Sequence, residues 1–162
     1  MEQDALAVAE ALIGKTLVRC FDDGRIFRSR ITETEAYFGK NDLASHASKG
    51  RTKRTQVMFE EGGQVYVYLI YGMYWLLNIV TGEEDMPQAV LIRGTEDCSG
   101  PGRIGRLLEL DKSFYGESLW TSKRIWIEDS HIEGTVKATP RIGVDYAGEI
   151  WKNKPWRFLL ER

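Results

Sequence analysis

Apolar residues recur along this chain with two spacings, one typical of helices and one typical of strands. Near the start, four apolar residues follow the helical spacing and a glycine ends the run, which predicts a helix over residues 3–13. The same spacing predicts a helix over residues 102–110. Shorter helical segments are expected over residues 55–60 and 113–120.

Alternating or continuous apolar runs between turn signals predict the strands. The expected strands are residues 16–21, 25–38, 64–70, 74–80, 88–94, 125–128, 136–141 and 156–161, and the expected loops are 39–54 and 95–101. Helices and strands are not regularly interleaved, so we expect an α+β fold. It would form one domain over residues 1–162, with a curved, mainly antiparallel sheet or partial barrel, a few flanking helices and a protruding hairpin.

The long second strand departs from the usual alternation of apolar and polar positions. Glu33, Glu35 and Tyr37 are two residues apart, so their side chains share one face. Tyr66 and Tyr68 share a face of the next strand in the same way. Carboxylates beside flat aromatic rings suit a pocket that holds a planar group and activates a water molecule against it. Removal of a nucleobase from its sugar is one of the few reactions that need this combination.

The composition is that of one domain with a substantial core. The chain has 162 residues, of which 43% are hydrophobic, and the aromatic residues include five Trp. Cys20 and Cys98 provide neither a disulfide framework nor metal-ligand spacing. Apolar runs are far too short for a membrane span, and the acidic N-terminus is unlike a signal peptide. We therefore expect an intracellular protein with no membrane partner, and a monomer by default.

The charges are unevenly distributed. The net charge of −2 argues against a nucleic-acid partner, but the distribution of charge matters more than the sum. Lys49, Arg51, Lys53 and Arg54 lie in one stretch without any acid. Such a stretch either contacts phosphates or is an ordinary solvated face, and the residues alone leave both readings open.

Several motifs together resemble the alkyladenine (3-methyladenine) DNA glycosylase family. They are, in chain order, Ile31-Thr-Glu-Thr-Glu-Ala-Tyr-Phe-Gly39, His46 in its loop, the run from Tyr66 to Asn78, Ala89-Val-Leu-Ile-Arg93, Ser99-Gly-Pro-Gly102, Arg141-Ile-Gly-Val and Ala147-Gly-Glu. The resemblance covers nearly the whole chain. One departure is the connection from Arg93 to the Gly-Pro turn, which is only residues 94–99 here, whereas family members usually have a longer, partly helical segment.

The resemblance implies the removal of damaged purines from double-stranded DNA by hydrolysis of the N-glycosidic bond, which leaves an abasic site. The substrates would be of the 3-methyladenine, hypoxanthine and ethenoadenine class, flipped out of the helix. Glu35 matches the general base, and Arg93 matches the arginine that holds the water or the sugar-phosphate near it. Tyr71, in a Tyr-Gly turn, matches the intercalating residue. Glu33 is interpreted as supporting or structural.

The resemblance also implies a base-binding pocket and a phosphate-contacting loop. Tyr37, His46 and Tyr68 match residues that sandwich the flipped base, and Asn78 matches one that disfavours guanine by a clash. The basic stretch Lys49, Arg51, Lys53 and Arg54 would contact the DNA backbone. No metal and no cofactor are implied, nor is a lysine Schiff base.

Two other functions remain open at this stage. One is a non-catalytic nucleic-acid-binding module on the same scaffold, because a family resemblance predicts the fold more safely than the activity. The other is a hydrolase of free purine nucleosides or nucleotides. Taken singly, each candidate residue also has an ordinary structural reading: Glu35 as a solvated strand carboxylate, Tyr71 as a residue of the hairpin's own core, and His46 as a surface histidine.

Overall fold

The computed structural model describes residues 4–162, which form a nine-stranded sheet and three helices. The strands are β1 (Thr16–Cys20), β2 (Ile26–Phe38), β3 (Val65–Ile70), β4 (Tyr74–Thr81), β5 (Gln88–Thr95), β6 (Cys98–Ser99), β7 (Ile125–Glu128), β8 (Thr135–Thr139) and β9 (Arg157–Glu161). The helices are α1 (Ala5–Leu12), α2 (Pro101–Leu107) and α3 (Gly148–Lys152). Short 3-10 helices lie at His46–Lys49, Gln56–Phe59, Lys112–Phe114 and Asp145–Ala147.

Strand β2 is the centre of the sheet. Its first half pairs with β1 and its second half with β9, while β5 pairs along the opposite edge. The main strand order is β3-β4-β5-β2-β1-β7, with β8 attached to β9 and β6 to β5, and every pairing is antiparallel. The register against β5 shifts between Ile31 and Thr34, and such an irregularity bends a strand. The predicted α+β fold with a curved antiparallel sheet is confirmed.

The core lies between the sheet and helices α1 and α2. The four apolar residues that predicted α1 are all buried, and Asp4 caps this helix by accepting hydrogen bonds from the backbone N–H groups of Leu6 and Ala7. Helix α2 buries Ile104 against β4 and β5. In residues 4–162 no helix is both long and apolar enough to cross a membrane, and Cys20 and Cys98 are free thiols.

Several predicted boundaries were wrong. Residues 95–101 were expected to be a loop, but Cys98 and Ser99 form β6 and pair with β5. Helix α2 ends at Leu107 instead of residue 110, because Glu109 adopts a left-handed φ of 52° that a helix does not allow. The strand expected over 136–141 is β8, residues 135–139. The predicted first residue of α1, Gln3, lies outside the described part of the chain.

Three helical elements were not predicted, namely helix α3 and the 3-10 helices His46–Lys49 and Asp145–Ala147. Helix α3 has no buried residue, so it shows no apolar spacing that could reveal it. The 3-10 helix His46–Lys49 lies within the polar stretch that was expected to be a loop, and the Ser45 side chain caps it by accepting a hydrogen bond from Ala47 N–H. This small element fixes the backbone at the candidate pocket residue His46.

Helix α2 approaches β4 very closely, and Gly105 makes this possible. A Cβ atom at Gly105 would lie 1.8 Å from the carbonyl oxygen of Trp75, and one at Gly102 would lie 3.0 Å from the Tyr74 ring. A side chain at Gly105 therefore requires movement of the helix, whereas one at Gly102 requires the Tyr74 ring to shift by a few tenths of an ångström. The contact also holds Pro101, the first residue of α2, at the wall of the cavity described below.

We predict that Gly105→Ala lowers the free energy of unfolding by about 1–3 kcal/mol, because the added methyl group must displace α2 from β4. Urea unfolding followed by circular dichroism measures this. The control is Arg103→Ala on the exposed side of α2, which should stay within about 0.5 kcal/mol of wild type. If Gly105→Ala is as stable as the control, the close approach of α2 to β4 is not required for stability.

Candidate active site

A cavity of about 300 Å³ opens between strands β3, β4 and β5 and two loops, residues 44–46 and 142–146. It is large enough for one planar ring system. Its polar and aromatic lining includes Tyr37, His46, Tyr66, Tyr68, Asn78 and Arg93. Five of these six residues were assigned to the site from the sequence, so the fold brings the predicted pocket residues together.

Glu35 lies on β2 behind the cavity wall and has no exposed surface. Its Oε2 atom accepts a hydrogen bond from the backbone N–H of Ile142 at 2.6 Å. Its Oε1 atom accepts one from the Tyr37 hydroxyl at 3.0 Å and lies 3.4 Å from Arg93 Nη1. The three residues that contact the carboxylate also line the cavity, namely Ile142, Tyr37 and Arg93. These partners therefore lie between Glu35 and the cavity.

Burial raises the pKa of Glu35 above its ordinary value. Arg93, the Ile142 N–H group and the Tyr37 hydroxyl each oppose this effect in part. Burial also raises the pKa of Tyr37 well above its usual range, so the phenol keeps its proton and remains a donor. A carboxylate with a raised pKa accepts a proton more readily than an exposed one, which is the property that a general base needs.

Arg93 is shared by two carboxylates. Its Nε atom lies 3.3 Å from Glu33 Oε2, and its Nη1 atom faces Glu35. Glu33 also accepts a hydrogen bond from Arg157 Nε at 2.6 Å. Glu33 therefore connects Arg93 on β5 to Arg157 on β9, and these contacts hold the Arg93 guanidinium beside Glu35.

His46 is a neutral member of the aromatic wall. Its Nδ1 atom lies 2.9 Å from the hydroxyl oxygen of Tyr66, and its ring meets the Tyr68 ring edge-on at 4.5 Å. Burial, followed by the charges of Arg54 and Lys49, lowers the pKa of His46 to about 4, so the imidazole is uncharged at neutral pH. No role was assigned to Tyr66 from the sequence, although its shared face with Tyr68 was visible in the strand pattern.

Asn78 has a free donor at the cavity wall. It lies on β4 opposite Tyr66, is 3% exposed, and its Nδ2 atom has no hydrogen-bond partner in the part of the chain that the structure describes. Buried amide groups almost always have partners, so an unpartnered one beside a cavity marks a position where a ligand can bond. Tyr68 completes this wall, and burial raises its pKa to about 12.

Tyr71 stands at the tip of the β3–β4 hairpin and is 87% exposed. Its φ is 52° and that of Gly72 is 66°, and Met73 N–H donates to the Ile70 carbonyl at 3.1 Å. Both φ values lie in the left-handed region, and the two residues belong to the three-residue connection 71–73 between β3 and β4. Glycine and asparagine adopt such a φ most readily, and a tyrosine there costs about 1–3 kcal/mol of backbone strain. Because the ring is so exposed, packing in the free protein does not offset this cost.

The four cations of the basic stretch have different surroundings. Arg51 forms an ion pair with Asp85 and lies 4.8 Å from the Phe59 ring centre. Arg54 lies 5.1 Å from the Tyr68 ring centre, at the edge of the cavity wall. Lys49 and Lys53 are exposed and have no ion pair within residues 4–162. Arg54 therefore lies next to the pocket, whereas the charge of Arg51 is partly neutralised by Asp85.

One segment of the site, residues 141–146, begins with the motif Arg141-Ile-Gly-Val, to which no role was assigned from the sequence. It contributes the Ile142 N–H group to Glu35, and the Tyr146 hydroxyl donates to the Ala44 carbonyl at 2.8 Å across the cavity edge. Its first residue, Arg141, forms a buried ion pair with Asp42. A backbone donor leaves no trace in side-chain identity, so sequence reasoning could not find Ile142.

Residues 4–162 contain no group of three or more histidine, cysteine, aspartate or glutamate side chains that could hold a metal ion. The polar groups at and behind the cavity wall include a carboxylate, a guanidinium group, phenols and a neutral imidazole. Together these groups can hold a planar ring, accept a proton from water and stabilise a cationic sugar.

Comparison with known proteins relates this geometry to a family. The chain matches a family model described as methylpurine-DNA glycosylase over residues 1–98 and 95–162. The two matched pieces overlap at residues 95–98, where β5 ends and the short connection to α2 begins.

Individual relatives cover nearly the whole chain. A protein of Methanocella arvoryzae is 44% identical over 97% of this chain and 88% of its own length. A protein of Clostridium botulinum is 40% identical over 99% of this chain and 92% of its own, and one of Anaeromyxobacter dehalogenans is 44% identical over 98% and 79%. All three are provisionally named 3-methyladenine DNA glycosylase.

The raised pKa of Glu35 predicts how stability depends on pH. A group whose pKa is higher in the folded state than in the unfolded state stabilises the fold at low pH, and this contribution is lost as the pH rises through its folded-state pKa. Glu35→Gln should therefore gain stability over wild type as the pH increases from about 4. Melting temperatures of both proteins between pH 4.5 and about 8 measure this gap.

The matched control for this experiment is Glu33→Gln. Glu33 holds two arginines, so its removal should lower the melting temperature and should not raise it. If the difference in melting temperature between wild type and Glu35→Gln stays constant across the whole pH range, burial does not raise the pKa of Glu35.

Proposed function

The chain belongs to the methylpurine-DNA glycosylase family of DNA repair hydrolases, and from this premise we propose its substrates and its mechanism. The substrates are alkylated or deaminated purines of the 3-methyladenine, hypoxanthine and ethenoadenine class in double-stranded DNA. The protein would act as one domain over residues 1–162, inside the cell where DNA lies, and as a monomer. The observation that carries the proposal is the fully buried Glu35 behind a cavity with aromatic walls.

Glu35 acts as the general base in this proposal. Breaking the N-glycosidic bond places positive charge on the sugar, which a nearby carboxylate stabilises while it takes a proton from the attacking water. Because Glu35 has no exposed surface, the water would reach Oε1 by taking the place of the Arg93 contact, which is long at 3.4 Å. Oε2 is held by the Ile142 N–H group and would not move.

The damaged base would stack between Tyr37, His46 and Tyr68. Electron-rich phenol faces attract a cationic purine, an effect worth about 0.5–2 kcal/mol. The neutral state of His46 supports this role, because a charged imidazole would repel the same cation. The free Nδ2 group of Asn78 would face the purine edge and crowd the 2-amino group of guanine.

Tyr71 would fill the gap that the flipped nucleotide leaves in the stack. Its exposed ring at the hairpin tip can enter a base stack, where stacking is worth about 1–3 kcal/mol per base. Stacking in the complex would offset the backbone strain that the free protein carries at this residue. Lys49, Lys53 and Arg54 would meet phosphates beside the pocket, and Arg51 would do so more weakly because Asp85 competes for it.

We also propose that the enzyme is monofunctional. The residues found to line the cavity include an arginine but no lysine, which supports attack by water over attack by an amine. The product would be an abasic site in an otherwise intact strand, with the free base released.

The first test measures single-turnover base release from end-labelled duplexes that hold one hypoxanthine or one ethenoadenine, with hot alkali to cut abasic sites. We predict that Glu35→Gln lowers the rate by about 100-fold or more, because water loses its proton acceptor. Glu33→Gln is the matched control on the same strand and should lower the rate by about tenfold or less, because it only loosens Arg93.

The outcomes of this test separate the candidate functions. Strand breaks that require both alkali and Glu35 support a monofunctional glycosylase. If wild type releases none of these bases, and no 3-methyladenine from methylated DNA, the proposal is wrong and a binding module remains. Base release from free nucleosides but not from duplex DNA would instead identify a nucleoside hydrolase.

The wedge role of Tyr71 has its own test. Tyr71→Gly should not lower the free energy of unfolding, because relief of about 1–3 kcal/mol of backbone strain at the positive φ offsets the roughly 0.5–1 kcal/mol that the freedom of glycine in the unfolded chain costs. It should slow base release from duplex DNA by about tenfold or more, because the stacking energy is lost. On a single-stranded substrate, which needs no wedge, the defect should shrink.

The control for the hairpin tip is Met73→Ala, a neighbouring exposed residue. Rates are measured with the same hypoxanthine oligonucleotide in duplex and single-stranded form. Equal duplex rates for Tyr71→Gly and wild type would argue that another residue keeps the nucleotide flipped.

A further inference from the structure

Asp42 and Arg141 form an ion pair in which neither side chain has any exposed surface. Arg141 Nη1 donates to Asp42 Oδ2 at 2.6 Å, and Nη2 donates to Oδ1 at 2.9 Å, so the contact is bidentate. Buried ion pairs contribute little net stability, since the cost of removing both charges from water offsets their attraction. Stability alone therefore does not explain why the Asp42–Arg141 ion pair is buried here.

Arg141 is held by more than its acid. Its guanidinium also donates to the carbonyl of Ala36 at 3.0 Å and to that of Trp151 at 3.1 Å. It lies 5.0 Å from the ring centre of Tyr37 and 4.9 Å from that of Trp156. Arg141 is therefore fixed between β2, next to Glu35, and the end of α3.

Asp42 organises the other side of the cavity. Its carboxylate accepts hydrogen bonds from Phe38 N–H at 2.9 Å and from Ala44 N–H at 3.1 Å. Ala44 lies two residues before His46, and its carbonyl accepts the Tyr146 hydroxyl. The ion pair thus joins the segment that contacts Glu35 to the loop that carries the aromatic wall.

The link to Glu35 is the next residue along the chain. Ile142 donates its N–H group to Glu35 Oε2 at 2.6 Å, yet the Ile142 residue is 48% exposed. Its side chain therefore cannot anchor the backbone at this point. Gly143 is exposed as well, so Arg141 is the adjacent residue with a buried anchor.

We propose that the Asp42–Arg141 ion pair is a positioning device for Glu35, which it holds by fixing the Ile142 N–H group against Oε2. This inference rests on the proposed function. With Oε2 fixed, Oε1 keeps its orientation toward Tyr37, Arg93 and an incoming water. Neither residue touches the reacting atoms, so both are positioning residues.

The positioning role has a signature that a purely structural role lacks. The charged and titratable groups around Glu35 are Arg93, Arg141, Tyr37, Tyr68 and Tyr146. The Ile142 N–H group and Arg141 both lower the pKa of Glu35 against the effect of burial. Loss of the ion pair should thus raise the pKa of Glu35, and the acidic limb of the pH–rate profile should move to higher pH.

The experiment compares Arg141→Gln with Arg19→Gln. Arg19 is a matched control, because it is also buried, donates to the Leu108 carbonyl at 2.8 Å and lies over the Phe21 ring, away from the cavity residues. Single-turnover release of hypoxanthine from duplex DNA is measured between pH 5 and about 9. Binding is measured on a duplex with a tetrahydrofuran abasic-site analogue.

We predict that Arg141→Gln slows base release by about tenfold to a hundredfold, because a small misplacement of a reacting group has that effect. Its acidic limb should lie at higher pH than that of wild type, while binding to the analogue stays within about threefold. Arg19→Gln should lose stability without either kinetic change.

A second variant covers the case in which Arg141→Gln does not fold. The double variant Asp42→Leu/Arg141→Met replaces the pair by apolar side chains, a change that commonly preserves stability, and it should be folded but equally slow. The inference is overturned if the folded variant matches Arg19→Gln in rate or keeps the wild-type acidic limb. If wild type itself releases no hypoxanthine, the proposed function has failed instead.

Discussion

The carboxylate of Glu35 is fully enclosed, and an enclosed charge costs several kcal/mol unless polar groups surround it. One of its three partners, the Tyr37 hydroxyl, lies two residues away on β2, whereas the Arg93 guanidinium on β5 and the Ile142 N–H group after β8 come from distant parts of the chain. They meet only because β2 pairs with β5 on one edge and with β9 on the other. The pairing of the strands therefore places distant donors where the buried charge needs them. A change in the register of β2 against β5 would separate Glu35 from Arg93.

Strands hold Glu35 and Arg93, while two residues proposed to contact the flipped base or the DNA stack lie on a turn and a short 3-10 helix. Glu35 and Arg93 stand on neighbouring strands, with Glu33 connecting Arg93 to β9, so side-chain positions are fixed by ladder hydrogen bonds as well as by ion pairs. Tyr71 instead lies at a hairpin tip, and His46 on a short 3-10 helix. This division suits the proposed reaction, in which the base enters from outside and the groups proposed to react are held by the sheet.

Much of this arrangement can be predicted from the sequence, and the failures have physical causes. Period-two spacing puts Glu35 and Tyr37 on one face, and their hydrogen bond confirms it. The Tyr71-Gly72 turn and most strands follow from turn signals and apolar runs. The contact of Asp42 with Arg141 spans 99 residues, and no local pattern indicates such a pair. The neutral state of His46 depends on burial, which is a property of the assembled fold.

Three features of the free protein reduce its stability, and all three border the same cavity. Glu35 is buried with a raised pKa, Asn78 has an unpartnered amide, and Tyr71 has a strained backbone. Strain that is gathered at one place is typical of functional sites, because a ligand can offset it there. The identity of the strained groups also distinguishes catalysis from binding. A protein that only bound DNA would gain nothing from a buried carboxylate close to an anionic ligand, since that charge repels phosphates. The cost of burying Glu35 is understandable if the carboxylate meets a cation, and a sugar that is losing its base becomes one.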